Sequence, residues 1–207
     1  MSLSDRQLWD VRYRQGAYAL RPWASVYLQE CMPEITATRP SERGLDVACG
    51  RGRNSIYAGQ NGFVMDAVDV SAAALAHGSR QALRAGVSIN WRCQNLLGAH
   101  DIDVWTPEGK YGLIVMFRFV ATSLLPTLVG RLAQGGHFLI EEHLQWSGSE
   151  VVNGPSNPNF RVAPKALKEA LLNTPESLVV VDEFEGLVEE PDGSHAALSR
   201  LWVRRQR

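Results

Sequence analysis

Residues 44–54 read GLDVACGRGRN, apolar at the start and punctuated by glycine at the end, which predicts a buried strand over 45–48 turning directly into a helix from Arg53. Gly50 and Gly52 can take positive φ and carry no Cβ, so the backbone can pass close to a bound group and aim N–H donors at it from a helix N-terminus. Seventeen residues after Gly52, the run FVMDAVDVS (63–71) predicts a second strand with Asp69 at its C-terminal end. In a βαβ nucleotide fold an acid at that place accepts hydrogen bonds from ribose hydroxyls. Turn and acid together point to an adenosine-bearing cofactor.

The dinucleotide fingerprint GxGxxG is met only in part, because Gly50 and Gly52 fit but Ser55 stands where a third glycine belongs. Asp46, four residues before Gly50, with Arg53 and Asn54 opening the helix, fits another pattern. DVACGRG followed by Arg-Asn resembles motif I of the class I S-adenosylmethionine methyltransferases. The resemblance implies S-adenosylmethionine as cofactor. Asp46, Ala48, Cys49, Gly50, Gly52, Arg53 and Asn54 would then surround its amino-acid end, and Asp69 and Val70 its ribose.

Outward from this centre, apolar runs alternate with helical patterns, which predicts a mostly parallel α/β sheet. A helix over 53–61 closes at Gly62, and Ser71 caps another that stops at Gly86. Val87, Ile89, Trp91 and Cys93 alternate with polar residues, so the third strand is expected at a sheet edge. The unbroken run 113–117 predicts a central strand covered on both faces. A helix is expected over 123–133, a strand over 136–142, a helix over 164–173, and strands over 178–188 and 196–203. The last two are joined by Glu-Pro-Asp-Gly, with Pro and Gly where a turn needs them. A terminal hairpin of this kind is what the family resemblance implies: a three-layer Rossmann-like sandwich, its seven-stranded sheet in order 3-2-1-4-5-7-6 with strand seven antiparallel.

Two flanking matches narrow the resemblance. Trp9-Asp10-Val11-Arg12-Tyr13-Arg14 is similar to the segment that opens tellurite-resistance-type and related small-molecule methyltransferases, and NGPSNPNF (153–160) is similar to their Gly-Pro loop before the fifth helix. LAQGGHFLIEEH (132–143) resembles their glycine-led fifth strand. The chain departs from that subgroup at Asn95-Leu96, where many members carry Asp-Leu near the adenine, and at Phe119, where a histidine is frequent. An Asn carbonyl can still accept the adenine hydrogen bond. On this reading 1–207 is one domain: a helical cap over 1–42, a cofactor core over 43–143 that includes Phe117, an acceptor-side loop over 144–162 with Trp146, and a helix plus hairpin over 163–207.

Methyl transfer needs alignment above all, and a protonated acceptor also needs a base. Tyr13 and Tyr18 in the cap can meet a methylsulfonium by cation–π attraction. Arg12, Arg14, Arg21 and Arg118 are candidates to hold an anionic acceptor. Glu141, Glu142 and His143 end strand five, where an open α/β sheet has its ligand crevice. The catalytic candidates are Tyr13, Arg118 and Glu142.

Composition bounds the rest. With 207 residues, 45% of them hydrophobic, the chain suits a single core. A net charge of −1 and no basic tract interleaved with aromatics argue against a nucleic-acid partner. Cys31, Cys49 and Cys93 form no CxxC pair, His77, His100, His137 and His195 share no ligand spacing, and no metal site is expected. No apolar run reaches the roughly 20 residues of a membrane helix, and the start MSLSDRQLWD lacks a signal-peptide core, so a cytoplasmic protein acting on a small-molecule acceptor is expected. Two other readings stay open: a protein that binds S-adenosylmethionine without turnover, and a nicotinamide oxidoreductase.

Overall fold

The run 111–117 folds as a central strand with all seven residues buried. The computed structural model describes residues 4–97 and 107–206, and His100 lies outside them. In chain order the helices are α1 (Asp5–Arg14), α2 (Val26–Thr38), α3 (Arg53–Gln60), α4 (Ala72–Arg84), α5 (Leu125–Gly130) and α6 (Ala166–Leu172). The strands are β1 (Arg43–Val47), β2 (Val64–Asp69), β3 (Ile89–Cys93), β4 (Tyr111–Phe117), β5 (Leu132–His143), β6 (Leu178–Glu189) and β7 (His195–Arg205).

The strands form one sheet in the order β3-β2-β1-β4-β5-β7-β6. β1 to β5 run parallel and β7 lies antiparallel to both β5 and β6, the arrangement that the family resemblance implies. Alternation along β4 divides the core. Leu113, Val115 and Phe117 join Leu139 and Trp202 under a stripe of α2 made by Leu28, Met32 and Ile35. Ile114 and Met116 join Phe138 and Ile140 beneath α5 and α6, whose Leu128 and Leu167 are buried there. Period-two strands and helical stripes thus make two apolar layers on one sheet. β3, with no fully buried residue, takes the edge that its alternating pattern predicts.

Two expected boundaries move. The helix expected over 123–133 is a 3₁₀ turn at Thr122–Leu124 followed by α5, which stops at Gly130. β5 begins at Leu132 because that side chain is fully buried and pairs with Tyr111. The register then jumps, so that Leu113 pairs with His137, and the two glycines at 135–136 sit in the resulting bulge. Ala48, expected to end strand one, instead lies beyond it with φ 55°.

Because β1, β2, β4 and β5 are parallel, their C-terminal ends share one edge of the sheet. Ala48, Asp69, Arg118 and His143 all lie on it.

Candidate active site

The chain crosses that edge after Val47 with positive φ at Ala48, Gly50 and Gly52, three alternating left-handed residues. This weave lets the Cys49 amide reach the Val68 carbonyl at 2.9 Å and the Gly50 amide reach Asp69 Oδ2 at 2.8 Å. The second Asp69 oxygen accepts the Ser71 amide at 2.8 Å. The Val70 amide is bonded to the same carboxylate, so three backbone donors fix it. Burial raises the Asp69 pKa despite these bonds.

The two glycines prove to serve different ends. A Cβ on Gly50 would strike the Tyr13 hydroxyl, so its bareness makes room for the cap. A Cβ on Gly52 would strike the Trp91 indole, so that glycine makes room for a packing partner from β3. As N-cap of α3, Gly52 offers no side-chain acceptor. Asp46 fills that part: it accepts the Ser55 hydroxyl at 2.5 Å and the Ser55 amide, and burial pushes its carboxyl up to about 7. Asn54 Oδ1 accepts the Ser25 amide at 2.8 Å and Arg53 donates to the Trp23 carbonyl at 3.2 Å, so both tie α3 to the segment before α2. Cys49 is buried, and that burial drives its thiol well above the usual range. Beyond β3, Asn95 Oδ1 accepts the Leu97 amide at 3.0 Å, and Leu96 is buried. Val70 accepts a weak hydrogen bond from the Cys93 thiol at 3.5 Å.

The cap is held by a residue that sequence reasoning passed over. Asp10 of α1 accepts the Ser71 hydroxyl at 2.7 Å and the Ala73 amide at 3.0 Å, so one helix caps another, and these bonds hold the Asp10 carboxyl low. That clamp lays Tyr13 over Gly50, with Trp9 and Tyr18 flanking its ring at 5.9 and 6.0 Å. Burial, then the nearby Asp69 charge, drives the Tyr13 hydroxyl far up, so it stays protonated. Only an aspartate N-capping a helix in its own segment leaves a local sequence signal; Asp10 acts across 61 residues.

On the other side of the edge, Arg118 follows Phe117 with φ 60°. Its Nε donates to Glu141 Oε1 at 3.2 Å, Nη2 to Glu190 Oε1 at 2.6 Å, and Nη1 lies 3.0 Å from His143 Nε2. Arg200 of β7 grips the other Glu141 oxygen at 2.8 Å. Burial alone would raise the Glu141 pKa, but Arg118 and Arg200 outweigh it and hold the carboxyl low. Its neighbour has the opposite fate. Glu142 Oε1 accepts the Phe119 amide at 2.9 Å, while Oε2 is buried with no partner. Burial pushes this carboxyl up to about 8. His143, desolvated and facing Arg118, is driven down to about 3 and stays neutral.

The remaining arginine candidates lie elsewhere or are engaged. Arg12 stacks on Trp9, Arg14 is exposed beside Asp10, and Arg21 pairs with Asp192 at 3.6 Å in the hairpin turn. Trp146 donates to Glu150 at 3.3 Å within the loop. His137 sits in the core against Trp202, far along β5 from the edge, and His77 lies on α4.

A glycine turn, an acid ending β2 and this strand order define a class I methyltransferase of the S-adenosylmethionine-dependent type. The comparisons agree. The family model described as "Methyltransferase domain" matches residues 16–172, and the chain belongs to that family. Among curated proteins no match is found. Among solved structures the chain is similar to TehB from Haemophilus influenzae, with 18% identity and a TM-score of 0.68, covering 95% of this chain and 66% of that one. It is also similar to the N-methyltransferase NodS from Bradyrhizobium japonicum WM9 bound to S-adenosyl-l-homocysteine, with 14% identity over 98% of each chain and a TM-score of 0.63. A third is the [4+2]-cyclase SpnF, with 13% identity, a TM-score of 0.70 and coverage of 97% and 94%. At these identities the likeness is one of fold.

Proposed function

We propose that the protein transfers a methyl group from S-adenosylmethionine to a small molecule bound between residues 118–120, the end of β5 and the 144–162 loop. The observation that carries this reading is the burial of the acceptor edge. The Arg118, Glu141 and Arg200 side chains retain at most 12% exposure and are paired with one another, so this side sets its charges inside the fold and offers them as no broad basic face for a polyanion. Among the described residues no helix is long and apolar enough to cross a membrane. The three cysteines are free, which accords with a cytoplasmic location.

The residues at the turn suit this cofactor. Asp69, held by three amides, would accept a ribose hydroxyl at its remaining acceptor position, and the backbone of Ala48, Cys49, Gly50 and Gly52 would present its polar groups to the amino-acid end. Val70, Asn95, Leu96 and Phe117 would frame the adenosine. Asp46, Arg53 and Asn54 would act by holding the turn and α3 in place. The cofactor supplies an electrophilic methyl on a sulfonium. Tyr13, neutral and with its hydroxyl against Gly50, would favour that positive charge by cation–π attraction worth about 0.5–2 kcal/mol if the sulfonium lies over its ring. Arg118, clamped by two glutamates, would shape the acceptor side as a fixed cation.

The test is to incubate the protein and a metabolite extract with S-adenosylmethionine labelled in the methyl group, then separate small from large products by ultrafiltration. A labelled small product, resolved from the unreacted donor by chromatography of the filtrate and absent without the protein, is expected. Label confined to protein or RNA would contradict the small-molecule reading.

A further inference from the structure

We propose that Glu142 takes the proton of an acceptor whose nucleophile is an O–H or N–H group, so that the substrate class is a hydroxyl or amine compound and not a thiolate or an oxyanion. This rests on the small-molecule reading above and sharpens it.

Glu142 is 1% exposed, and its Oε2 is buried without a hydrogen-bond partner. A buried, unpaired carboxylate oxygen is costly to keep, and natural interiors rarely leave one without a ligand or role. Its placement is fixed. Oε1 holds the Phe119 amide at 2.9 Å, just past the end of β4, so the free oxygen on the same carbon lies at the edge shared with the glycine turn and Asp69. The other candidate bases at that edge are occupied. Glu141 is ion-paired to Arg118 and Arg200, His143 faces the Arg118 guanidinium, Asp69 holds three amides and is reserved for the ribose, and Tyr13 is protonated. Of these groups Glu142 is the one with a buried carboxyl oxygen that has no partner.

The chemistry balances at that atom. As the nucleophile's lone pair bonds to the methyl carbon, the carbon–sulfur bonding pair returns to sulfur, and the proton moves to Oε2 and on to solvent. A thiolate or an oxyanion brings no proton and sets its own negative charge against the carboxylate. The charged and polar groups facing Glu142 are Arg118 past β4, Glu141 on its own strand, and Ser199 of β7, which is paired with it in register and bonded to Glu185 of β6. The packed faces of α5 and α6 are apolar. With burial dominant, the carboxyl ionises only as the pH nears 8.

Purified protein is assayed with S-adenosylmethionine against panels of phenols and alcohols, amines, thiols, and selenite or tellurite, in wild type and Glu142→Gln. Gln keeps an oxygen for the Phe119 amide, so the fold survives. The expected result is turnover in the hydroxyl or amine panel, with kcat/KM rising through about pH 8. In Glu142→Gln, kcat falls by about 100-fold or more while S-adenosylhomocysteine affinity is unchanged. Independently of activity, ¹³C NMR of the glutamate carboxyls in the S-adenosylhomocysteine complex should show one resonance titrating near pH 8 that vanishes in Glu142→Gln. Turnover confined to thiols or oxyanions, no turnover in any panel, undiminished kcat in the variant, or a Glu142 carboxyl already ionised at about pH 5 each overturns the proposal. Methyl label found only on macromolecules would instead remove the small-molecule reading beneath it.

Discussion

Ala48 shows how a single backbone angle divides the work of this site between strain and fit. At φ 55° an alanine pays a left-handed penalty of about 1–2 kcal/mol, which glycine avoids while losing about 0.5–1 kcal/mol in chain entropy. Ala48→Gly should therefore leave stability unchanged or raise it by up to about 1 kcal/mol in urea denaturation; a loss would mean that its methyl group packs. The adjacent glutamates make a sharper test because their shifts have opposite signs. Glu141 sits below the ordinary 4.5, so its stabilisation is present above that value and lost as pH falls through the folded pKa. Breaking a buried ion pair removes about 3–5 kcal/mol, and Glu141→Gln should approach that loss at neutral pH, since Arg118 and Arg200 lose their shared partner. Glu142 is raised to about 8, so the folded state holds its proton where the unfolded chain has released it, and stability declines as pH rises from about 4.5 to 8. Glu142→Gln should melt above wild type at about pH 9, with the gap closing toward pH 5. An unchanged gap across that range would show that the carboxyl is not held neutral.

At the scale of elements, the cap is the most exposed dependency. α1 has no fully buried residue, and Asp10 ties it to the start of α4 while Tyr13 ties it to the turn. Asp10→Ala should cost about 0.5–2 kcal/mol, as lost helix caps do, and should speed amide exchange over 5–14 while leaving β4 protected. Equal exchange in α1 of both proteins would mean that other contacts hold it. What the sequence disclosed follows the range of the forces involved. β4 was legible because a strand buried on both faces must be apolar throughout, and the hairpin because Pro191 and Gly193 encode a turn locally. α5 was overrun by three residues because Gly130 and the pairing of Leu132 with Tyr111 end it, and that pairing is set by a partner 21 residues away. The glycine turn and the acid ending β2 were readable as elements, and the two are joined by the Gly50 amide on Asp69. The clamp by Asp10, the packing of Trp91 under Gly52, and the union of Glu141 with Arg118 and Arg200 join distant segments, and no local spacing records them.

Taken whole, the molecule uses its sheet to bring two half-sites to one edge. β1 and β2 deliver the glycine turn and Asp69; β4 and β5 deliver Arg118 and the two glutamates. The reversed strand β7 adds Arg200 from the opposite direction, where it pairs with Glu141. The central claim is that the turn at 48–52 holds S-adenosylmethionine, and calorimetric titration of S-adenosylhomocysteine into wild type and Gly50→Val tests it most directly. Valine at φ 56° is strained and meets the Tyr13 hydroxyl. The account predicts saturable one-to-one binding to the wild type and none to the folded variant; equal affinity in both, or binding of a nicotinamide dinucleotide in its place, would contradict it.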